Sequence, residues 1–173
     1  YNIFSNNELI SYPGTSSSYG RVIYDYTSLN NYNEYRNNRM MHGYYGMYLY
    51  GSGTTIWEKG TVVDGNDISG YYYYGIMSYY QDSIQITNNY LHDQTYGYYV
   101  IYTYYNFNGF NFSGNKIIMN GTSANSYPMR VYYCNYFSYM GTSAAGLVSN
   151  NFISSTTANN SYGLYAYYSN GVK

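Results

Sequence analysis

The chain has 173 residues, a net charge of −1 and only 9% charged residues. Seven Lys and Arg cannot build the basic face that phosphate binding needs, which excludes a nucleic-acid binder, and no apolar run is long enough for a membrane-spanning helix. Aromatics reach 23%, most of them among the 33 Tyr, which argues against disorder, and a lone Cys134 excludes a disulfide scaffold.

In chain order, two kinds of element alternate. The first is a corner: an apolar residue, any residue, Asn or Gly, Asn, any residue, an apolar residue. It appears as Phe4-Ser5-Asn6-Asn7-Glu8-Leu9, then Tyr35-Arg36-Asn37-Asn38-Arg39-Met40, then Val63-Asp64-Gly65-Asn66-Asp67-Ile68. It continues as Ile86-Thr87-Asn88-Asn89-Tyr90-Leu91, Phe112-Ser113-Gly114-Asn115-Lys116-Ile117 and Val148-Ser149-Asn150-Asn151-Phe152-Ile153. Asn and Gly tolerate the left-handed backbone of a tight corner between strands. The second Asn of each corner (Asn7, Asn38, Asn66, Asn89, Asn115, Asn151) can bond local backbone through its amide, and amides stacked coil on coil can bond one another.

Between corners lies a strand pattern. It is read as Tyr19-Gly20-Arg21-Val22-Ile23-Tyr24, Tyr45-Gly46-Met47-Tyr48-Leu49-Tyr50 and Tyr74-Gly75-Ile76-Met77-Ser78-Tyr79. Gly97-Tyr98-Tyr99-Val100-Ile101-Tyr102, Tyr127-Pro128-Met129-Arg130-Val131-Tyr132 and Tyr162-Gly163-Leu164-Tyr165-Ala166-Tyr167 follow. With the period of two of a strand, the first and third positions after the Gly site face inward; Arg21 breaks the rule. The fourth position faces outward and is Tyr every time: Tyr24, Tyr50, Tyr79, Tyr102, Tyr132 and Tyr167. These six are expected to form a tyrosine ladder, either stacking for stability or offering an aromatic platform to a sugar or another protein. Gly-, Ser-, Thr- and Asn-rich inserts at 11–18, 26–33, 51–61, 121–126, 135–145 and 154–161 read as exposed loops.

No window shows helical periodicity, and the repeat is too short for a propeller blade. Six corners imply an all-β, right-handed parallel β-helix solenoid of about six coils with Asn-ladder corners, a rod of about 25–30 Å at the interstrand spacing. The corner motif resembles that of the right-handed parallel β-helix repeat proteins, the pectate-lyase-like superfamily, over nearly the whole chain. The Tyr and Asn bias resembles that of large bacterial cell-surface or secreted β-helix proteins. Residues 1–173 therefore read as one β-helix segment of a longer chain, extracellular or at the cell surface.

Candidate chemistry is sparse. A lyase or hydrolase on such a scaffold needs converging acidic and basic groups, for which Asp64, Asp82 and Arg130 are the candidates; no spacing selects them. His42 and His92 lack partners at metal-ligand spacing, and no phosphate loop or dinucleotide glycine motif occurs, so no metal and no cofactor is expected. The favoured function is a non-catalytic structural or adhesive segment (a surface stalk, adhesin or filament component). Its expected partners are a polysaccharide or another surface protein, with self-association through open coil ends. The alternative is the scaffold of a carbohydrate-active enzyme: a polysaccharide lyase, a glycoside hydrolase or a phage tailspike depolymerase.

Overall fold

The computed structural model describes residues 1–26, 30–53, 57–135, 144–156 and 160–173. Parts of the predicted loops 26–33, 51–61, 135–145 and 154–161 lie outside these residues. Among the described residues there is no helix; strands run three to a coil and form three parallel sheets.

The first sheet stacks β1 (Ile3–Ser5), β4 (Glu34–Arg36), β8 (Val62–Asp64), β11 (Gln85–Thr87), β14 (Asn111–Ser113) and β17 (Leu147–Ser149) in that order. The second stacks β2 (Glu8–Ile10), β5 (Arg39–Met41), β9 (Asp67–Ser69), β12 (Tyr90–His92), β15 (Lys116–Met119) and β18 (Phe152–Ser155). The third stacks β3 (Arg21–Tyr26), β6 (Tyr45–Tyr50), β10 (Tyr74–Asp82), β13 (Tyr99–Phe107) and β16 (Asn125–Tyr132), with β20 (Leu164–Tyr167) and the short β19 (Asn160–Ser161) both on β16. The short β7 (Glu58–Lys59) pairs with the end of β10. Each strand thus pairs with its counterpart one coil away, as a solenoid requires.

One apolar core runs through all six coils. Tyr35, Val63, Ile86 and Phe112 enter it from the first sheet, and Met40, Ile68, Leu91 and Ile117 from the second. Met47, Leu49, Ile76, Ile101, Met129 and Val131 enter from the third. Fully burying one such side chain contributes about 1.5–3 kcal/mol, so the repeat of apolar positions is the main source of cohesion.

Between the first and second sheets each coil turns on a residue with positive φ: Asn6 (58°), Asn37 (52°), Gly65 (68°), Asn88 (56°), Gly114 (68°) and Asn150 (54°). The Asn that follows each of them points its amide along the stack. Asn38 Nδ2 donates to Asn66 Oδ1 at 3.0 Å, Asn66 to Asn89 at 2.9 Å and Asn89 to Asn115 at 3.0 Å. Asn7 donates to Asn38 and Asn115 to Asn151, both at 2.9 Å, which completes a ladder of six. From Asn38 onward each Oδ1 also accepts the backbone N–H of the Asn one coil earlier, as Asn89 does from Asn66 at 3.0 Å. Each of these five Nδ2 groups donates to a carbonyl of the coil before, as Asn89 does to Val63 at 2.9 Å.

The third sheet departs from a simple period of two. Val100 and Ile101 both enter the core, and the register between neighbouring coils skips the position occupied by Gly46, Gly75 and Val100. At this position the backbones approach closely. A Cβ on Gly75 would lie 2.7 Å from the Val100 carbonyl oxygen and 2.7 Å from the Leu91 side chain. Gly75→Ala is expected to lower unfolding stability by roughly 1–3 kcal/mol in urea denaturation, the usual cost of overpacking a tight core.

Candidate functional site

The distinctive surface is the outer face of the third sheet, a wall of tyrosines. The register places the ladder differently from the sequence pattern. Tyr50, Tyr79, Tyr132 and Tyr167 share one column, whose other members are Tyr26 and Tyr104. Tyr24 and Tyr102 stand in the neighbouring column, opposite Tyr48 and Arg130 respectively. The slip is two residues in both coils. An even slip keeps each side chain on its face, so these tyrosines still point outward. The cue that misled was the glycine: the position of Gly46 and Gly75 is held by Val22 in the first coil and Val100 in the fourth. The same correction moves Arg21 outward, opposite Tyr45, with its guanidinium 4.1 Å from the Tyr24 ring centroid.

A further column lies on the same wall. Tyr45, Tyr74, Tyr99, Tyr127 and Tyr162 stack in succession, with centroids 4.9, 5.2, 5.4 and 5.1 Å apart and interplanar angles of 8, 14, 29 and 6°. Neighbouring columns interlock edge to face, as Tyr45 does with Tyr48 at 82°. The result is a second hydrophobic layer. Tyr45, Met77 and Tyr102 are buried in it, with Tyr48, Tyr74, Tyr79, Tyr99, Tyr104 and Tyr132 packed around them. Burial pushes the phenols of Tyr48 and Tyr73 up to about 12, because the ionised form would lose its hydration there.

Arg130 sits inside this wall. Its guanidinium lies 4.4 Å from the Tyr132 centroid and 5.3–5.6 Å from those of Tyr99, Tyr102, Tyr127 and Tyr165, and Nη1 donates to the Tyr99 hydroxyl at 2.7 Å. Against the desolvation of that position, Tyr99 and Tyr102 hold the guanidinium protonated. The contacts make it a cation–π fastener between coils. Asp64 belongs to the first sheet, tied to Arg36 (2.9 Å), Thr87 (2.6 Å) and Asn88 (2.9 Å). Asp82 ends β10 and accepts from the Ser83 hydroxyl at 2.8 Å. Asp64 and Arg130 therefore lie on different sheets, and Asp82 lies beyond the Tyr80 corner of the third.

Three features went unread in the sequence. The first is a second left-handed corner, where β10, β13, β16 and β20 end their tyrosine-bearing stretch: Tyr80 (φ 53°), Tyr105 (53°), Tyr133 (51°) and Tyr168 (45°). Nothing marks it locally, since Tyr is not a residue of left-handed corners. The second is a polar ladder inside that corner. Glu58, Gln81 and Asn106 are fully buried and in register, and Gln81 Nε2 donates to Glu58 at 3.0 Å. Asp25 lies beside it, accepting from Asn30 (2.6 Å), Asn33 (3.0 Å) and the Tyr35 hydroxyl (2.9 Å). The third is a small charged group on the second sheet, in which His92 contacts Asp67 at 2.8 Å and Asp93 at 2.7 Å. The two carboxylates take opposite nitrogens of the ring, which suits a bridge and not a convergent metal site; among the described residues no cluster of metal ligands occurs. Cys134 is fully buried, and burial pushes its thiol up to about 11, so it packs as a small apolar residue.

Compared with known proteins, the chain matches no family model, no curated protein and no solved structure. Its architecture stands on its own geometry: an all-β solenoid of parallel sheets stacked in register. No helix among the described residues is long and apolar enough to cross a membrane.

Proposed function

We propose that this chain is a non-catalytic, load-bearing segment of an extracellular surface: a rigid stalk or filament piece of the right-handed parallel β-helix type. One observation carries the reading: the third sheet is covered on both faces, by the apolar core within and the tyrosine layer without. A sheet of a solenoid ordinarily leaves its outer face to water. Here each interlocked ring pair adds about 0.5–1.5 kcal/mol beyond its area, coil against coil along the axis.

The stacking also bears on the expectation of a sugar platform. Sugars dock on ring faces, and in these columns the faces are taken up by the next coil's tyrosine. What the wall offers outward is ring edges and hydroxyls. That pattern favours reinforcement over a stacking platform, and leaves adhesion to hydroxyl contacts at the wall's rim.

The test is mechanical. The double variant Tyr74→Ser, Tyr99→Ser removes the middle of the stacked column and is expected to lower unfolding stability by roughly 2–4 kcal/mol and to lower the force that unravels the segment from its ends. Tyr74→Phe, Tyr99→Phe keeps the rings and loses only hydroxyls, among them the acceptor of Arg130, and is expected to cost roughly 1–2 kcal/mol, less than the serine pair, with the unravelling force close to the parent's. Serine variants that unfold at the parent's force and denaturant midpoint, yet lose attachment to a glycan-coated surface, would replace the stalk with an adhesin.

A further inference from the structure

The second left-handed corner sets a problem that the stalk reading alone does not solve. At the first corner the left-handed positions are filled by Asn and Gly, which adopt that backbone readily. At the second, four successive coils place Tyr there, at a cost of roughly 1–2 kcal/mol each. Strain repeated in four coils points to a use for the side chain that occupies it. Stacking is not sufficient as that use. Phe stacks as well and has no hydroxyl to desolvate, yet the chain has 33 Tyr and six Phe. The phenol itself is what the corner retains.

Tyr133 is the centre of this ridge. Its ring stacks on Tyr105 of the coil before (5.4 Å, 29°) and on Tyr168 of the coil after (5.1 Å, 19°). It also meets Tyr104 (5.7 Å, 83°) and Tyr167 (6.1 Å, 88°) edge to face, and its chain neighbour Tyr132 at 4.4 Å. Hydroxyls crowd together here: hydrogen bonding to Tyr132 holds the Tyr133 phenol up at about 12, and hydrogen bonding to Tyr168 does the same to Tyr167. Those two hydroxyl contacts lie within a coil; between coils it is the ring contacts themselves, with centroids 5.1–6.1 Å apart, that bring the carbons of neighbouring phenols close.

The geometry points to a covalent modification site: Tyr133 is placed to form dityrosine bonds with the ridge tyrosines of the adjacent coils when the protein meets a peroxidase and hydrogen peroxide. Two phenols each give up one electron and one proton. One peroxide takes both pairs and leaves as two waters. The phenoxyl radicals join through a carbon–carbon bond between their ortho carbons, and the hydrogens on those carbons move to the oxygens, which restores two phenols and leaves the chain short of two hydrogens. A radical formed elsewhere on the wall has neighbouring rings throughout, such as Tyr80 to Tyr105 at 5.5 Å, by which to reach the ridge. The bond would staple one coil to the next along the axis of load. This inference rests on the stalk reading for its purpose but not for its test, because the unravelling force of the untreated protein judges the stalk and the oxidation product judges the site.

The experiment is treatment of the full chain with peroxidase and limiting hydrogen peroxide, followed by intact mass and peptide mapping. The expected product is a monomer lighter by two hydrogens for each bond, in which the peptide holding Tyr133 is joined to one holding Tyr104 or Tyr105, or Tyr167 or Tyr168. Tyr133→Phe keeps the ring and is expected to lose those products while its melting curve stays with the parent's. The most accessible phenols serve as the internal control: Tyr12 is 77% exposed and Tyr19 84%. Coupling that runs through Tyr12 and Tyr19, gives only cross-linked dimers, or does not occur within the ridge would overturn the assignment.

Discussion

Asn89→Ala is expected to cost roughly 2–5 kcal/mol, because one side chain closes bonds to both neighbouring coils in a site that water does not reach. Its Oδ1 accepts both the backbone N–H and the Nδ2 of Asn66, at 3.0 and 2.9 Å. Its Nδ2 donates to the Val63 carbonyl at 2.9 Å and to Asn115 at 3.0 Å. Truncation leaves the Asn66 N–H facing a methyl group, and an unsatisfied buried donor costs about 1–3 kcal/mol by itself. Because a solenoid coheres only through neighbouring coils, a defect in the fourth coil divides the stack near its middle. Asn7→Ala, at the exposed end of the same ladder, removes a single donor, the Nδ2 that reaches Asn38, while the backbone N–H to the same oxygen stays, and is expected to cost less than about 1 kcal/mol. Asn89→Asp separates shape from donation: it keeps the size and the acceptor but loses both Nδ2 bonds. It is expected to fall close to Asn89→Ala near neutral pH. Urea denaturation of the three variants decides the matter, and equal midpoints for Asn7→Ala and Asn89→Ala would mean the ladder carries no cooperative load.

That ladder was legible in the sequence because its two requirements are local. A left-handed residue and an amide beside it leave a six-residue signature, and Asn38, Asn66 and Asn89 keep the same place within it although the coils between them differ in length. The tyrosine wall was legible as a face but not as a set of columns. Its register depends on which residue of one coil lies against which of the next, and the cue used for it, a glycine before the inward pair, is Val22 in one coil and Val100 in another. The second corner left no local mark at all. Tyr105 and Tyr133 hold a backbone geometry that their own type disfavours, so only the stacked neighbours and the packing beneath them impose it. The polar interior was invisible for a related reason. Glu58, Gln81 and Asn106 read as loop or surface residues in a chain rich in polar ones, until pairing brings them inside the third sheet.

Glu58 turns that interior into a second large effect, one that depends on pH. Its carboxyl is fully buried, with Oε2 accepting from Gln81 and Oε1 without a hydrogen-bond donor. The other titratable groups that face it are the Asp25 carboxyl and the Tyr35 phenol; the Tyr35 hydroxyl already donates to Asp25. The remaining neighbour, Thr61, donates to Gln81 at 2.8 Å. Desolvation first, and the charge of Asp25 after it, raise the Glu58 carboxyl from its ordinary 4.5 to about 8. The protonated acid then supplies what the pair lacks, a hydroxyl that donates toward Asp25. A raised pKa means the folded state holds the proton more tightly than the unfolded chain. The stabilisation is therefore complete below the ordinary carboxylate range and is lost as pH climbs from there through about 8. The span corresponds to a loss on the order of 3–5 kcal/mol, and to a thermal midpoint lower by roughly 10 °C at about pH 9 than at about pH 5. Glu58→Gln keeps the acceptor for Gln81, supplies an N–H donor toward Asp25 and never ionises. It is expected to flatten the profile and to melt above the parent at alkaline pH. Thermal melts of both proteins across that range decide it, and a Glu58→Gln curve that falls in parallel with the parent's would place the titrating group elsewhere.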